Sequence, residues 1–523
     1  MTLPVLKVAM LAAHGGSNSN LVPLGGGAAV CERLVEAWRN VSDLELTLIV
    51  PGSIDGSNES VTDQPTPSAT SPNETSYNAA LPDPIGKKTK IMKDPGAAPM
   101  INKNSQNIGQ LSENPNNTQN SPASVRTQAQ PEAQEQAQAE DTNSHPSRFK
   151  LLRIPVLRAG ERPCDLSEFR YAKFSRQFEK LATKKILELK PHVVLTHDIS
   201  EGPNFKVLKA NHIPCIPIFH VDVVDFFCRM YLGGRWSPKK CEHFWAKLRP
   251  YPIVPDILRL VFDKQADAVR TCPKLIVPSE GMKQVLLDTY GDKIKDLSER
   301  IEVIPWGAPV PRFTASQVID AIPQINSEFN LNANDPVIVT LSRISPEKAQ
   351  NKLLEALLWA EQVGKLPAHL TVFICGSASY MQGPRFFKKL RSMTEKLHKV
   401  RVIYPGHVGD LRKAALLARA DVFVSTSCHE SYGLTTMEAM QAGTPVVALD
   451  TPGARQTIKP HTGIIVENDI HPGPELWQAI HNILNNPDYK QILSDHARLW
   501  AQRETFLEAA QHILDLLDDQ GSR

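Results

Sequence analysis

A chain of 523 residues, 41% of them hydrophobic, is long enough to bury two sizeable cores, which excludes a single small domain. Its 58 basic and 56 acidic residues leave a formal net charge of +2, so charge gives no general attraction to nucleic acid. The 8 cysteines include no C-x-x-C pair, and this spacing disfavours a disulfide-stapled domain and a thiolate zinc site. The composition therefore predicts buried, reduced thiols in a cytoplasmic protein.

A short apolar stretch near the start, residues 8–13, follows Lys7. It is shorter than the hydrophobic region of a signal peptide, roughly 7–15 residues, and far shorter than a membrane span of roughly 20. We interpret it as the first buried strand, and no other window reaches the length of a membrane span. The expectation is a cytoplasmic protein, either soluble or peripheral on the cytoplasmic face of a membrane.

A long segment, residues 53–147, differs in composition from its surroundings. It holds 11 of the 41 prolines but a single aromatic residue, Tyr77, and it is rich in Asn, Ser, Thr and Gln. Its few large apolar residues follow neither a helical nor a strand period, so it cannot offset an ordering cost of about 1–2 kcal/mol per residue. We therefore predict a disordered insertion, with a regulatory or partner-binding tether as the functional alternative.

Outside this insertion, short β-branched runs alternate with helical patterns. Continuous apolar runs separated by helical stretches are typical of parallel sheets covered by helices on both faces. We therefore predict an α/β fold of two doubly wound, Rossmann-like domains facing a cleft, where ligands bind at the carboxyl ends of strands. The predicted strands span residues 6–12, 44–50, 151–156, 193–198, 216–221, 275–279 and 301–306 in the first half, and 337–343, 370–376, 400–406, 421–426, 445–449 and 463–466 in the second.

The same pattern predicts the domain boundaries. Residues 1–310 form the first domain, which contains the insertion, and residues 337–503 form the second. Between them, residues 311–336 carry Pro and Asn without a clear strand, and we interpret them as a linker. Residues 504–523 are predicted to form a C-terminal helix that packs back on the first domain.

Three consecutive glycines, Gly25, Gly26 and Gly27, precede a predicted helix over residues 28–38. Glycines at this position let backbone amides approach a ligand at the start of a helix. The dinucleotide fingerprint G-x-G-x-x-G is not met, because Val30 occupies the place of its last glycine. A glycine-lined cleft wall is the favoured interpretation, and an ordinary turn is the alternative.

Two histidines stand at the ends of predicted strands in the first domain. His197 ends the run that starts at residue 193, and His220 ends the run that starts at residue 216. A lone histidine after an apolar strand is more often a core residue than a functional one. From position alone, both therefore remain only candidates for the cleft.

Residues 226–251 combine aromatic and basic side chains. They contain seven aromatic and six Lys or Arg residues, opposed by Glu242 alone. This mixture suits an anionic lipid surface, where each cation contributes about 1 kcal/mol. An ordinary acceptor cleft or a packed lid fits equally well, whereas no nucleic-acid module accompanies the segment. The residues predicted to face an acceptor or a membrane are His197, Arg235, Trp236, Lys239 and Lys240.

The second domain carries cations and carboxylates at two strand ends. Arg343 and Lys348 follow its first strand and would supply two fixed cations to a diphosphate without a metal. Glu430 follows a later strand, Gly433 opens a helix whose first amides can hold an anion, and Glu438 lies further along that helix. This arrangement suits a ligand with hydroxyls at both ends and a diphosphate between them.

With these motifs the sequence resembles glycosyltransferase family 4, whose members are retaining enzymes of GT-B fold, over nearly the whole chain outside the insertion. Glu430 and Glu438 match the E-x7-E element of that family, and Arg343 and Lys348 match its cationic phosphate element. Other elements match less completely. They are residues 23–26 for P-x-GG, residues 213–217 with His220 for the acceptor element, residues 304–307 for IPNG with Trp306 replacing Asn, and Ser342 and Ala349 where glycines are usual.

The resemblance implies a nucleotide-sugar donor bound mainly by the second domain and an acceptor bound by the first. Arg343 and Lys348 would neutralise the departing diphosphate, Glu430 would hold sugar hydroxyls, Glu438 the ribose, and His220 would lie near the transferring carbon. No carboxylate nucleophile, metal or other cofactor would be required. The implied catalytic residues are His220, Arg343, Lys348 and Glu430. The implied donor-binding residues are Gly26, Arg343, Lys348, Gly433, Leu434, Thr435 and Glu438.

The prediction from the sequence is therefore a retaining hexosyltransferase that uses a nucleotide-diphosphate sugar, with a UDP-sugar favoured. The favoured acceptor is a membrane glycolipid such as a monoglycosyldiacylglycerol. A soluble or polysaccharide acceptor is the alternative within the class. From another class, a non-catalytic nucleotide-sugar-binding protein is suggested by Trp306 and Ala349, and a GT-B epimerase would use the same donor.

Overall fold

The structure is a computed structural model. It describes residues 5–13, 25–54, 148–163, 166–252, 254–378 and 382–522. The predicted disordered insertion lies outside these residues except for Ser53 and Ile54 at its start. Pro23 and Leu24 of the predicted glycine-containing loop also lie outside them.

The first domain is an open parallel sheet. Its strands have the order β3-β2-β1-β4-β5, and the pair β6-β7 continues the sheet through a bridge between Ile218 and Ile276. The elements are β1 (Leu6–Leu11), α1 (Gly26–Trp38), β2 (Leu44–Ser53), β3 (Phe149–Leu157), α2 (Glu168–Leu189), β4 (Val193–Thr196), α3 (Phe205–Ala210), β5 (Cys215–Pro217), α4 (Val223–Tyr231), α5 (Pro238–Leu248), α6 (Asp256–Thr271), β6 (Leu275–Val277), α7 (Glu280–Tyr290), α8 (Leu297–Arg300) and β7 (Ile301–Val303).

Strand β1 shows why this sheet is covered on both faces. Val8 and Met10 belong to one buried cluster with side chains of α1, whereas Ala9 and Leu11 belong to another with side chains of α2. Alternate residues of a strand point to opposite faces, so a run that is apolar at every position needs a helix layer on each side. The continuous apolar runs in the sequence arise from this arrangement.

The second domain repeats the pattern with six parallel strands in the order β10-β9-β8-β11-β12-β13. Each of the thirteen runs predicted from the sequence overlaps a strand, which is usually shorter than predicted but is longer for β2 and β3. The elements are α9 (Ala315–Glu328), β8 (Val337–Leu341), a 3-10 turn (Pro346–Lys348), α10 (Gln350–Gln362), β9 (Thr371–Cys375), α11 (Gly383–Thr394), β10 (Arg401–Gly406), α12 (Asp410–Arg419), β11 (Val422–Ser425), α13 (Leu434–Gln441), β12 (Val446–Leu449), α14 (Pro452–Thr457), β13 (Ile464–Val466), α15 (Gly473–Leu484), α16 (Pro487–Arg503) and α17 (Phe506–Gly521).

The predicted linker, residues 311–336, contains the helix α9, which the sequence analysis did not anticipate. A capping box between Thr314 and Gln317 starts the helix, and Pro323 lies inside it. Proline removes one helical hydrogen bond, but the carbonyl concerned belongs to Ile319, whose side chain is exposed, so that turn faces solvent. The helix packs on α12, where Arg412 pairs with Glu328 at 2.6 Å. The segment is therefore structurally part of the second domain.

The chain ends on the first domain. Ala308 and Thr505 form a parallel bridge, and α17 follows directly. Trp38 Nε1 of α1 donates a hydrogen bond to the Ala510 carbonyl at 3.1 Å, and Gly521 lies against Leu6 of β1. The last helix therefore completes one helix layer of the first sheet.

Candidate active site

Loops at the carboxyl ends of the two sheets contact one another. The Ser431 hydroxyl, after β11, donates a hydrogen bond to the backbone carbonyl of His220, after β5. Tyr432 Oη accepts a hydrogen bond from the Gly307 amide at 2.7 Å. A methyl group placed on Gly26 would lie 3.6 Å from Leu434, the first residue of α13. The sequence elements predicted to face each other therefore come into contact.

Lys348 and Glu430 form an ion pair at the centre of this region. Lys348 Nζ lies 2.7 Å from Glu430 Oε2, and the Ser427 hydroxyl donates to the same oxygen at 3.3 Å. Burial alone would raise the pKa of Glu430, but its polar neighbours, Lys348 foremost, together outweigh burial and lower that pKa. Glu430 is therefore a carboxylate at neutral pH, held beside a fixed cation.

Arg343 is the second predicted phosphate ligand, and it lies beside another carboxylate. Its guanidinium Nη2 is 3.4 Å from Glu347 Oε1, which also accepts a hydrogen bond from the Ser345 hydroxyl at 2.6 Å. The following Ala349, where the family usually has glycine, adopts a left-handed conformation with φ 47°. The turn that a glycine would normally make is thus retained with an alanine.

The start of α13 provides backbone donors. Gly433 has φ 99°, in the left-handed region, and precedes the helix. The first hydrogen bond of this turn is donated by Thr436 to the Gly433 carbonyl, so the amides of Leu434 and Thr435 precede it. Amides in this position carry partial positive charge and can bind an anion.

Glu438 lies between two cations rather than on an open wall. Arg33 Nη2, from α1 of the first domain, is 2.7 Å from one carboxylate oxygen, and Lys413 Nζ is 3.2 Å from the other. A carboxylate has about four lone-pair sites, so both oxygens can still accept a ribose hydroxyl. Sequence reasoning missed Arg33, which lies 405 positions from Glu438 and follows no motif.

His197 and His220 form a stacked pair on the first-domain side. His197 Nδ1 is 3.0 Å from His220 Nε2, and the ring centroids are 5.2 Å apart at an interplanar angle of 11°. Burial lowers the pKa of His220 to about 4. The pKa of His197 falls well below its ordinary value, mainly through burial and to a lesser extent through the charge of His220. Trp306 lies against the His220 ring, with the two ring centroids 5.6 Å apart.

A further contact between the domains was not predicted. His429 Nε2, next to Glu430, lies 3.3 Å from Asp225 Oδ2 of α4, and the His429 ring packs edge-on against Phe226. Arg229 binds the same carboxylate oxygen at 2.7 Å. His429 is adjacent to the E-x7-E element in sequence, but nothing in the sequence indicated its partner.

Four of the predicted acceptor or membrane residues, Arg235, Trp236, Lys239 and Lys240, lie on α5 and the turn before it, whereas the fifth, His197, lies against His220. Trp236 and Phe244 are exposed and pack edge-on at 5.5 Å, whereas Trp245 is buried. Lys239 pairs with Asp292 at 2.6 Å, and Arg235 and Lys240 are exposed.

Two kinds of feature are not found in the described part of the chain. None of its helices combines the length and the apolarity needed to cross a bilayer. No three His, Cys, Asp or Glu side chains among these residues converge as they would around a metal ion. That the reaction needs no metal stays a prediction.

Solved structures show the class to which this architecture belongs. The sucrose-phosphate synthase of Thermosynechococcus elongatus covers 98% of this chain and 98% of its own, with a TM-score of 0.60 and 15% identity. The Anabaena protein HepE in complex with UDP and glucose covers 98% of this chain and 100% of its own, with a TM-score of 0.56 and 16% identity. Such likeness shows the fold alone, and it confirms the predicted GT-B architecture.

Sequence comparison then identifies the family. Residues 322–500 match the family described as Glycosyl transferases group 1. The D-inositol 3-phosphate glycosyltransferase of Geodermatophilus obscurus is 31% identical over 322 residues, which cover 54% of this chain and 67% of the relative. The chain spans only 45–60% of the length of three other relatives of that name. The chain belongs to the Glycosyl transferases group 1 family, as its resemblance to glycosyltransferase family 4 predicted.

Proposed function

We propose that the protein is a retaining glycosyltransferase that moves a hexose from a nucleotide-diphosphate sugar to an acceptor hydroxyl. The observation that carries this proposal is the Lys348–Glu430 ion pair beside the start of α13, facing the His197–His220 pair across the cleft. One side of the cleft offers cations and amides, and the other offers neutral imidazoles. A donor with a charged diphosphate and an uncharged sugar matches both sides.

The chemistry requires the diphosphate to leave with its negative charge. Lys348, Arg343 and the amides of Leu434 and Thr435 would stabilise that charge as the bond to the sugar breaks. By analogy with an oxyanion donor, each well-placed group contributes about 2.7–4 kcal/mol. The acceptor hydroxyl would attack from the face that the diphosphate leaves and pass its proton to the departing phosphate oxygen, which retains the configuration of the sugar. Glu430 would hold sugar hydroxyls and stabilise the positive charge that develops on the ring.

A donor screen tests the activity. UDP-hexoses and other nucleotide sugars are incubated with the protein and with candidate acceptors, and release of the nucleoside diphosphate is measured together with the sugar product. We expect Lys348→Ala to reduce turnover by roughly 10²–10³-fold. Lys388→Ala, an exposed lysine of α11, is the matched control and should retain full turnover. Release of an isomerised sugar would indicate an epimerase, and binding without turnover would indicate a non-catalytic protein; either result would refute the proposal.

The UDP-sugar is the favoured donor within this proposal. Support comes from HepE, a protein of the same fold whose structure contains UDP and glucose. At 16% identity this likeness does not extend to the nucleobase, so the choice depends on the screen. Faster turnover with guanosine or adenosine diphosphate sugars would replace UDP and leave the transferase proposal intact.

For the acceptor, the geometry favours a glycolipid at a membrane surface. Trp236 and Phe244 expose aromatic rings next to Arg235 and Lys240, a combination that suits the boundary between lipid headgroups and acyl chains. A phosphorylated soluble acceptor is the second candidate. Support for it comes from the relatives, which are D-inositol 3-phosphate glycosyltransferases, and from the fold shared with a sucrose-phosphate synthase.

Vesicle binding separates these two candidates. The protein is mixed with vesicles of anionic phospholipid that contain a monoglycosyldiacylglycerol, and flotation and sugar transfer are measured. We expect Arg235→Gln, Lys239→Gln and Lys240→Gln together to weaken binding by about 3 kcal/mol or less, at about 1 kcal/mol per cation. The matched control neutralises three exposed cations of α11, Arg385, Lys388 and Lys389, with the same change in net charge. Equal losses in both variants, or transfer only to soluble sugar phosphates, would refute the membrane candidate.

A further inference from the structure

A single proton lies between the facing ring nitrogens of His197 and His220. The two atoms, His197 Nδ1 and His220 Nε2, are 3.0 Å apart, which is hydrogen-bond distance. A hydrogen bond here requires one nitrogen to carry the proton and the other to be unprotonated. The direction of donation therefore fixes the tautomer of both rings.

The other nitrogen of His197 indicates that direction. His197 is 1% exposed, and its Nε2 is buried without a hydrogen-bond partner among the described residues. Buried N–H groups that lack an acceptor are rarer in proteins than acceptors that lack a donor. The proton of His197 is thus more stable on Nδ1, pointing to His220, than on the unpartnered Nε2.

We propose that His197 is a positioning residue that donates its Nδ1 proton to His220 Nε2 and thereby holds the Nδ1–H of His220 as a hydrogen-bond donor. The role of this N–H group depends on the proposed function: it would donate a hydrogen bond to an oxygen of the transferred sugar or of the acceptor hydroxyl. In this state His220 cannot remove a proton from the acceptor, because its unprotonated nitrogen is already occupied by His197.

The surroundings of His220 hold its ring in one orientation. A methyl group on Gly27 would lie 3.0 Å from His220 Cδ2, Trp306 packs against the ring, and the Ser431 hydroxyl binds the backbone carbonyl. Burial disfavours the charged form of both imidazoles, so the pair shares its protons as a neutral unit at pH 7. His197 accordingly determines which neutral tautomer His220 adopts.

The test measures the tautomer directly. The full-length protein is labelled with ¹⁵N-histidine, long-range ¹H–¹⁵N correlations are recorded at pH 7, and the His220 signals are assigned by their loss in His220→Asn. We expect His220 to be protonated at Nδ1. In His197→Phe, which retains a ring but cannot donate, His220 should shift toward the Nε2–H form or a mixture. Protonation of His220 at Nε2 in the unmodified protein would overturn the proposal.

Kinetics supply the second readout. His197→Phe should lower kcat by about 10-fold, with a smaller change in the KM for the nucleotide sugar. A misaligned His220 N–H group affects the reacting state more than it affects substrate binding. His197→Gln, whose amide can donate, should restore part of kcat. A fall in thermal stability with unchanged kcat and unchanged tautomer would show a purely structural role and refute positioning. If no donor supports turnover, the proposed function fails, while the tautomer measurement still decides the role of His197.

Discussion

The two domains share a strand order but present different chemistry to the cleft. In both sheets the second and third strands lie on one side of the first strand and the later strands on its other side, as β3-β2-β1-β4-β5 and β10-β9-β8-β11-β12-β13. The first domain contributes glycines and two neutral imidazoles, whereas the second contributes an ion pair and a helix start. One backbone architecture can thus serve an uncharged and a charged part of a ligand, because the loops after the strands carry the chemistry.

The difference has a physical cause in how each side is desolvated. Burial keeps His197 and His220 neutral and lowers their pKa values, because on His220 it outweighs the opposing charge of Asp198. Burial of Glu430 is compensated by Lys348, so the carboxylate stays charged and its pKa falls for the opposite reason. A lowered pKa therefore means that the histidines of the first domain lose their charge, whereas Glu430 of the second domain keeps its charge.

The largest expected effect comes from breaking the charged side. Glu430→Gln and Lys348→Ala should each reduce kcat/KM by roughly 10²–10³-fold, since each removes a group that would stabilise the reacting state. The two losses should not add in the double variant, because Lys348→Ala leaves the Glu430 carboxylate buried and unpaired while the double variant does not. Steady-state kinetics of all four proteins complete the cycle. Fully additive losses would mean that the two residues act independently.

The second effect separates the two sides by pH. The folded pKa of His220 lies near 4, below the ordinary value of 6.5, so the unfolded chain binds the additional proton between these values. Stability should therefore fall as pH drops from about 6.5 to about 4, by up to about 3 kcal/mol for this histidine. Glu430 has a lowered pKa as a carboxylate, so its contribution is present above 4.5 and is lost only at more acidic pH.

Urea unfolding at several pH values checks this separation. His220→Asn should flatten the decline between pH 6.5 and pH 4, whereas Glu430→Gln should alter only the part below pH 4.5. An unchanged slope in His220→Asn would show that other groups dominate acid unfolding.

The sequence predicted the parts of this comparison that depend on local patterns. All thirteen strands could be located because their sequences are largely apolar, and the inner strands, covered on both faces, are apolar at successive positions. Glu430 and Gly433 could be placed at a strand end and a helix start for the same reason. The α9 helix was missed because Pro323 obscured its helical pattern.

Pairings between distant residues could not be predicted. The Arg33–Glu438 ion pair joins two domains across 405 positions, and His429 meets Asp225 through the same closure of the cleft. His197 and His220 were both candidates, but their contact depends on the adjacency of β4 and β5 in the sheet. Such contacts are set by how the sheets and domains pack, and a single sequence does not encode that packing as a spacing.

A smaller change should affect the neutral side without harming the fold. Gly27 lies in the first turn of α1 without a positive φ, so alanine fits its backbone and should raise helix stability by up to about 1 kcal/mol. The added methyl group would approach His220 Cδ2 to 3.0 Å and displace the ring. Gly27→Ala should therefore lower kcat by about 10-fold, while the melting temperature changes little because the gain in helix stability offsets the cost of displacing the ring. Loss of stability together with activity would mean that the loop, not the imidazole, is disturbed.

The smallest effect is expected on the charged side, at Ala349. This residue precedes α10 with φ 47° and ψ 41°, a conformation that costs an L-residue roughly 1–2 kcal/mol and glycine almost nothing. Ala349→Gly removes that strain but increases the flexibility of the unfolded chain by about 0.4–1 kcal/mol. The net expectation is a gain of about 0.5–1 kcal/mol in unfolding free energy, measured by urea titration. Ala246→Gly, at an exposed helical position of α5, is the matched control and should lose about 1 kcal/mol. Destabilisation by both substitutions would mean that the backbone at residue 349 relaxes away from the left-handed region. The left-handed conformation of Ala349 would then not determine the turn beside Lys348.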